Sequence, residues 1–189
     1  MTQPSPSAKP SQQPRAHLRK SLLDQRRNTV AAQRQDWDEK IGAKVMDWCR
    51  RHKPVCLGVF WPIQAEPDLR SCYPKLQELG IQLALPLVQN KAQALIFLTW
   101  APGDGMATDE HGIPVPAQRE HIIQPAALLI PCVGFNASNH RLGYGGGYYD
   151  RTLSFTPRPQ AIGVAYQQGL LDFAAQAHDL PMDLIITEQ

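Results

Sequence analysis

The sequence predicts one α/β domain, and two features of the chain support this fold class. Segments with helical and with strand patterns alternate along the 189 residues, and the strand segments are continuously apolar, as strands buried on both faces are. A hydrophobic fraction of 43% is enough for one core. We therefore expect a mostly parallel central sheet with helices on both faces, a Rossmann-like domain over residues 15–189. Residues 1–14, rich in Pro, Ser and Gln, are expected to form a disordered tail.

Two helices are expected to open the domain. Residues 15–28 contain good helix formers without a breaker, and Leu18 and Leu22 fall on one face. A second helix is predicted over residues 36–51, and Pro54 ends that stretch. The apolar positions of the second helix recur every three to four residues and are Trp37, Ile41, Val45 and Trp48.

Short strands and short helices make up the rest of the prediction. The apolar segments predicted as strands are residues 55–61, 81–85, 94–100, 127–135, 160–166 and 182–187. A helix over residues 68–80 is expected to be bent by Pro74 and closed by Gly80, and another to run over residues 148–155. Residues 101–124 are rich in Pro and Gly and are predicted as a long loop, which in a compact domain is functional or mobile.

Composition excludes several classes of protein. No segment approaches the roughly 20 apolar residues of a membrane span, and the N-terminus lacks the apolar core of a secretory signal. We therefore expect a soluble cytoplasmic protein. Four cysteines form no CxxC pair and have no histidine at metal-ligand spacing, which favours buried reduced thiols over a zinc site or a disulfide framework. These residues are Cys49, Cys56, Cys72 and Cys132.

The charge is distributed unevenly along the chain. Residues 1–54 carry 12 Lys and Arg against 5 Asp and Glu, whereas the remaining residues carry 7 against 12, for an overall net charge of +2. A basic segment of this kind suits either a nucleic acid or a small ligand that bears phosphates. Charge alone leaves both open.

A glycine-rich loop is the strongest local signal for chemistry. Gly143, Gly145, Gly146 and Gly147 lie between a buried strand and a predicted helix. Phosphate oxygens need several converging backbone N–H groups, which glycine supplies because no Cβ blocks close approach, and a helix start adds its positive dipole end. Arg141 before the loop suits phosphate charge, and Asp150 after it suits magnesium. The pattern matches neither GxxxxGK[ST] nor GxGxxG, so the residues alone also allow a glycine-rich turn packed by tyrosines.

Other candidates are weaker by themselves. Arg15 and Arg19 are four residues apart on one helix face, where two guanidiniums suit a polyphosphate or form a solvated basic face. Glu66 follows a predicted strand, where α/β proteins place ligand-binding residues, and is otherwise an ordinary loop carboxylate. Asp179 and Asp183 flank the start of the last predicted strand, and their spacing does not decide between capping, pairing and metal binding.

Together, these stretches resemble the 5-formyltetrahydrofolate cyclo-ligase (5,10-methenyltetrahydrofolate synthetase) family. The most specific part is IPCVGF followed by RLGYGGGYYDR, which ends at Arg151. The basic RAHLR segment, the strand leading to Glu66, ALP at residues 84–86, GIPVP at residues 112–116 and the terminal HDLPMDLIIT occur in the family's order. The resemblance covers about residues 15–187.

The resemblance implies an enzyme that converts 5-formyltetrahydrofolate to 5,10-methenyltetrahydrofolate with ATP and Mg²⁺, releasing ADP and phosphate. Arg141 and Tyr149 would be catalytic, and Asp150 and Asp179 would bind the metal. The residues implied in ATP binding are Arg15, Arg19, Arg141, Leu142, Gly143, Tyr144, Gly145, Gly146, Gly147, Tyr148 and Tyr149. Those implied in substrate binding are Trp61, Glu66, Tyr144, Gly145, Gly146, Gly147 and Tyr148. The expected partner is this small-molecule substrate, bound by a monomer without nucleic acid or membrane.

Several positions depart from the usual family pattern. Asn136 stands where Asp is usual, Val115 where Glu is frequent, and His140 where Gly is frequent. Arg15 replaces a common Lys, Gly146 stands where animal members carry a Lys, and Leu69 replaces a frequent Thr. Asn136 and Val115 motivate one alternative, a relative that binds folate or nucleotide with weakened catalysis. The basic N-terminal segment and the run YGGGYY motivate another, a module that binds nucleic acid.

Overall fold

The computed structural model of the chain describes residues 14–189 and shows a seven-stranded sheet with helices on both faces. The strand order is β11-β10-β7-β1-β2-β3-β6, and the pairs from β11 through β2 are parallel, whereas β3 and β6 add antiparallel strands at one edge. The predicted fold class is therefore confirmed. The predicted tail over residues 1–14 lies outside the described residues, except for Pro14. Within the described part, no helix is both long and apolar enough to cross a bilayer.

Two helices precede the sheet, as predicted. Helix α1 spans Arg15–Asn28, which agrees with the prediction at both ends. Helix α2 spans Ala31–His52 and begins five residues before the predicted start, because residues 31–35 contain no helix breaker. The residue after the helix, Lys53, has a left-handed backbone with a φ of 46° and caps its C-terminus, and Pro54 follows.

The parallel strands are short and lie in the centre of the sheet. They are β1 (Cys56–Gly58), β2 (Gln82–Leu87), β7 (Ala127–Pro131), β10 (Gln160–Val164) and β11 (Leu184–Ile186). The antiparallel strands are β3 (Ile96–Trp100) and β6 (Ile122–Ile123). Most predicted strands were too long, since apolar residues continue past the ladder: Val59 and Phe60 are buried without belonging to β1.

Several predictions between the strands were wrong in detail. The predicted loop over residues 101–124 contains a hairpin of β4 (Met106–Thr108) and β5 (Pro114–Pro116), as well as β6. The predicted strand over residues 127–135 breaks after β7, and β8 (Gly134–Phe135) pairs instead with β9 (Arg141–Leu142). Helix α3 (Tyr73–Glu78) has Pro74 in its first turn, where proline fits, so Pro74 starts the helix and does not bend it.

Both faces of the sheet are covered by apolar layers. On one face, α2 and α3 pack against strand residues such as Leu57, Leu83 and Leu129. On the other face, α4 (Tyr148–Thr152) and the segment before β11 cover residues such as Leu128 and Ala161. All four cysteines are free and buried, as expected for reduced thiols. A 3₁₀ turn at Gln167–Gly169 completes the chain's helical segments within the described range.

Candidate active site

A cavity of about 760 Å³ opens at the carboxyl ends of β1, β2 and β7. Residues at or just after the ends of these strands line it, among them Trp61, Val88 and Pro131. In parallel sheets this edge is where ligands bind, because loops and helix starts converge there. The walls come from α1, the glycine loop, the β4–β5 hairpin and the segment before β11. Of the residues predicted for the site, those lining this cavity are Arg15, Arg19, Trp61, Glu66, Arg141, Gly143, Tyr144, Gly145, Gly146, Gly147, Tyr148, Tyr149, Asp150 and Asp179.

The glycines of the loop are required by local geometry. A Cβ at position 143 would overlap the guanidinium of Arg141, which lies against the Gly143 backbone. Gly145 and Gly147 have φ values of +99° and +65°, a backbone region that side chains other than glycine rarely adopt. A Cβ at position 146 would come within 2.7 Å of the Tyr148 ring, so a longer side chain there requires the ring to move.

The helix that follows the loop contributes less than the sequence prediction assumed. Helix α4 has five residues, Tyr148–Thr152, and ends three residues before the predicted Phe155. The helix dipole arises from aligned peptide units. A helix of five residues therefore offers no strong positive end to a phosphate. Positive charge in the cavity therefore comes from arginine side chains.

The guanidiniums of Arg15, Arg19 and Arg141 all line this cavity. Arg19 donates from Nε to the carbonyl oxygen of Gly143 at 2.7 Å, which ties α1 to the loop. Burial and the nearby charge of Arg15 lower the pKa of Arg19. Arg141 is almost fully buried and lies 5.5 Å from the ring centroid of Tyr149. Crowded positive charges of this kind favour an anion between them, and several arginines together favour a polyphosphate.

Both predicted metal ligands are paired with arginine. Arg15 donates from Nη1 to Oδ1 of Asp179 at 3.1 Å, and Arg141 donates from Nη2 to Oδ2 of Asp150 at 2.8 Å. Between residues 14 and 189, no three His, Cys, Asp or Glu side chains group into a site able to hold a metal ion by themselves. Two carboxylates beside arginines that line the cavity do fit a Mg²⁺ ion that arrives on a nucleotide, since Mg²⁺ then needs only one or two protein carboxylates.

Glu66 lies at the other side of the cavity and is only 4% exposed. Its Oε1 accepts a hydrogen bond from the hydroxyl of Tyr144 at 2.8 Å, and its Oε2 accepts one from the backbone N–H of Ile63 at 2.9 Å. Burial raises the pKa of Glu66 to about 7, against the opposing effects of these hydrogen bonds and of Arg26. Trp61 packs edge-on to Trp100 with ring centroids 6.1 Å apart and offers an apolar wall nearby.

Leu142 and Asp183 lie outside the cavity. The Leu142 side chain is fully buried and packs against Leu18 and Phe173, so only its backbone is available for a role in ATP binding. Asp183, left open by the sequence, accepts hydrogen bonds from Arg158 and from the backbone N–H of Ala161. Its role is to hold the start of β10.

Asn136 and Val115, which depart from the family pattern, also lie away from the cavity. Asn136 donates its amide to the carbonyl oxygen of Phe173 at 3.0 Å and accepts from the backbone N–H groups of Ser138 and His140 at 3.1 and 3.0 Å. An aspartate cannot donate the first of these bonds, so the amide suits its surroundings. Val115 is buried in a small apolar cluster with Leu87 and Leu98.

The sequence prediction missed several residues of this region. Asp109 and His111 reach the cavity from the β4–β5 hairpin, and His178 reaches it beside Asp179. The GIPVP segment was the only sequence signal for the hairpin. Arg26 was also missed, although it follows Leu18 and Leu22 at four-residue spacing and so falls on the buried face of α1. Because that face is apolar, a charged side chain on it signals a buried polar partner.

Comparison with known sequences gives one consistent result. The sequence profile described as the 5-formyltetrahydrofolate cyclo-ligase family matches residues 11–188. A 5-formyltetrahydrofolate cyclo-ligase from Mycoplasma genitalium is 48% identical over 175 residues, which cover 89% of this chain and 94% of the relative. The protein of the same name from Mycolicibacterium smegmatis is 31% identical over 183 residues, which cover 92% of this chain and 93% of the relative.

Solved structures give the same result. A 5,10-methenyltetrahydrofolate synthetase from Mycoplasma pneumoniae superposes with a TM-score of 0.78 at 28% identity, covering 93% of this chain and 99% of that chain. The synthetase from Aquifex aeolicus also superposes with a TM-score of 0.78, at 27% identity, covering 93% and 90%. Sequence and fold therefore agree over almost the whole chain.

Proposed function

The chain belongs to the 5-formyltetrahydrofolate cyclo-ligase family, and from this premise we propose that it cyclises 5-formyltetrahydrofolate to 5,10-methenyltetrahydrofolate with ATP and Mg²⁺. ADP and phosphate are the other products. A formyl oxygen is a poor leaving group, so ring closure by N10 needs that oxygen activated. Transfer of the γ-phosphoryl group to the formyl oxygen gives an iminium phosphate and ADP. N10 then attacks the formyl carbon, the C–O bond to the phosphate breaks, and the phosphate leaves with the N10 proton.

One observation carries this proposal: a single cavity joins a cationic, glycine-lined wall to an apolar wall with a buried carboxylate. The first wall suits a triphosphate, and the second suits a flat heterocycle that has N–H donors. Such a reaction needs little from a protein base or nucleophile, because both reacting groups belong to the substrates. Positioning and charge neutralisation are then the main contributions of the protein.

The ATP side is assigned to α1 and the glycine loop. Arg15 and Arg19 bind the phosphates from the helix, while backbone N–H groups of residues 143–149 bind them from the loop. Arg141 faces the transferred group and neutralises its charge in the transition state. Tyr149 packs against the Arg141 guanidinium, and burial raises the pKa of its hydroxyl, which therefore stays protonated as a donor.

The folate side is assigned to Glu66 and Trp61. The Glu66 carboxylate accepts hydrogen bonds from pterin N–H groups, and Trp61 packs against the ring system. Residues 144–148 lie between the two halves and contact both substrates. All of these residues come from one chain, so the proposed site needs no residue from a second subunit.

Asp150 and Asp179 are assigned as the carboxylates that hold nucleotide-bound Mg²⁺. When bound there, Mg²⁺ would neutralise charge on the phosphates. The arginines Arg141 and Arg15 would then exchange a carboxylate partner for a phosphate, because each pair lines the cavity.

The proposal is tested by following methenyltetrahydrofolate absorbance with purified protein, 5-formyltetrahydrofolate, ATP and Mg²⁺. We expect activity that depends on ATP, and a loss of about 30- to 100-fold in kcat/KM for ATP in Arg19→Ala, since a charge-assisted contact is removed. Lys20→Ala is the matched control, because Lys20 is exposed on the same helix and does not line the cavity. Undiminished activity in Arg19→Ala would contradict the assignment of α1 to ATP.

A further inference from the structure

Arg26 is the most deeply buried cation of helix α1, with 3% of its surface exposed. It does not line the cavity, and nothing in the proposed chemistry uses it directly. Its Nη2 donates to the carbonyl oxygen of Cys132 at 2.7 Å, just past the end of β7, and its Nη1 lies 3.5 Å from the hydroxyl of Tyr144 in the glycine loop. A buried guanidinium is costly unless its contacts recover the lost hydration, so these contacts define what Arg26 does.

The contacts of Arg26 continue to Glu66. The Tyr144 hydroxyl has one proton, which it donates to Glu66 at 2.8 Å, so its lone pairs are free to accept from Arg26. The order of donors is therefore Arg26 to Tyr144 to Glu66. Tyr144 is the residue of the loop that reaches across to the carboxylate, and Gly143 and Gly145 beside it line the cavity.

We propose that Arg26 is a positioning residue for the folate side of the site, which rests on the proposed function. It holds the Tyr144 hydroxyl on Glu66 and supplies a positive charge near a carboxylate that is otherwise removed from water. The fork of the guanidinium lets one side chain fix two elements, the end of β7 and the glycine loop, in one register. A lysine carries all its donors on one nitrogen and lacks the two separated nitrogens with which Arg26 contacts these two elements.

The surroundings of Glu66 contain several other charged or titratable groups. Asp68 and Arg70, on the same segment as Glu66, pair with each other, whereas Arg26 acts on Glu66 as an unshared positive charge from α1. Burial raises the pKa of Glu66 to about 7, and the charge of Arg26 opposes that rise. The remaining titratable groups close to Glu66, on α2, the loop, α4, the end of β7 and the end of β10, are Arg34, Asp38, Tyr144, Tyr149, Cys132 and Tyr166.

Two predictions separate positioning from a general effect on folding. Arg26→Gln should lower kcat/KM for 5-formyltetrahydrofolate about 10- to 100-fold, with a change of less than about threefold in KM for ATP. It should also move the pH at which kcat/KM for folate reaches half its plateau to higher values, because the ionised form of Glu66 loses a nearby cation. Arg26→Lys should keep the wild-type pH midpoint while losing kcat/KM, since charge stays and the fork is lost.

A double-mutant cycle with Tyr144→Phe tests whether Arg26 acts through the Tyr144 hydroxyl. If Arg26 acts through the Tyr144 hydroxyl, the two losses should not add. The double variant Arg26→Gln/Tyr144→Phe should then have a kcat/KM for 5-formyltetrahydrofolate within about threefold of that of the less active single variant. Lys20→Gln is the control, because Lys20 is an exposed cation on the same helix and does not line the cavity. Should Arg26→Gln fail to fold, the cycle is run with Arg26→Lys, which retains charge and buried stem.

The outcomes are distinct. Inactive wild-type protein would overturn the proposed function itself. An active wild type with independent, multiplicative losses in the cycle, or with the same pH midpoint in Arg26→Gln, would overturn the role of Arg26 and leave the proposed function standing.

Discussion

At the scale of single residues, Glu66 places a carboxyl group where water barely reaches it. Burial raises its pKa to about 7, so between about pH 4.5 and 7 the folded chain holds a proton that the unfolded chain has released. Protonation therefore favours folding, and this contribution is lost as the pH rises through that window. As the pH rises between these values, the wild type should lose roughly 3 kcal/mol of unfolding free energy relative to Glu66→Gln, which has no carboxyl group at this position.

Urea denaturation of both proteins at several pH values measures this difference. Comparison with Glu66→Gln removes the contribution of all other carboxylates, including Asp179, whose pKa lies below its usual range. Parallel stability profiles from pH 4.5 to 7.5 would mean that Glu66 titrates as an exposed carboxylate does.

Gly143 is a second position where one atom decides the outcome. A methyl group there would overlap the guanidinium of Arg141 and displace it from Asp150. We expect Gly143→Ala to weaken ATP binding about 10- to 100-fold, measured by calorimetry, because one charge-assisted contact is lost. Gly105→Ala is the control, since a methyl group at 105 meets only Ala117 Cβ, at 3.8 Å. Equal affinities of the two variants for ATP would contradict the assignment of Arg141 to the ATP site.

At the scale of elements, the Arg15–Asp179 pair joins α1 to the segment before β11. Asp179 is an anion on a cavity assigned to ATP, so without Mg²⁺ it competes with phosphate for Arg15 and repels it. We expect Asp179→Asn to bind ATP several-fold more tightly than wild type when EDTA is present, and several-fold more weakly when Mg²⁺ is present. Asp24→Asn, on the exposed side of α1, should change neither value. The same sign in both conditions would argue against Asp179 as a carboxylate for the metal.

Helices and strands could be predicted from the sequence where neighbouring residues alone determine their bounds. Helix α1 matched the prediction because its residues carry helix propensity and no breaker, whereas strand lengths depend on partners that the sequence does not show. The hairpin of β4 and β5 was missed because prolines, here Pro114 and Pro116, favour a loop in a prediction from sequence. Proline is tolerated in a two-stranded edge ribbon, where not every N–H is paired.

At the scale of the whole molecule, parallel strands explain why distant residues meet. The carboxyl ends of β1, β2 and β7 share one edge, so Glu66 and the glycine loop, far apart in sequence, line one cavity. That convergence could be predicted. The pairing of Arg141 with Asp150 and the partners of the Arg26 side chain could not, because they depend on side-chain packing between elements.

The basic segment of residues 1–54 is also interpreted at this scale. Arg15 and Arg19 line the cavity, and three other cations of α1 and α2 pair with an aspartate one turn away on the same helix. The three pairs are Arg27–Asp24, Lys40–Asp36 and Arg50–Asp47. We therefore expect no salt-dependent binding to a single-stranded oligonucleotide in fluorescence anisotropy at 50 mM salt. Micromolar affinity that falls steeply with salt would favour the nucleic-acid alternative.

The central claim is that this cavity transfers a phosphoryl group from ATP to the formyl oxygen of folate. The most direct measurement uses 5-formyltetrahydrofolate labelled with ¹⁸O in the formyl group and mass analysis of the released phosphate. The account predicts one ¹⁸O atom in each phosphate, with one ADP formed per methenyltetrahydrofolate. Label recovered in water, or cyclisation without ADP, would contradict it.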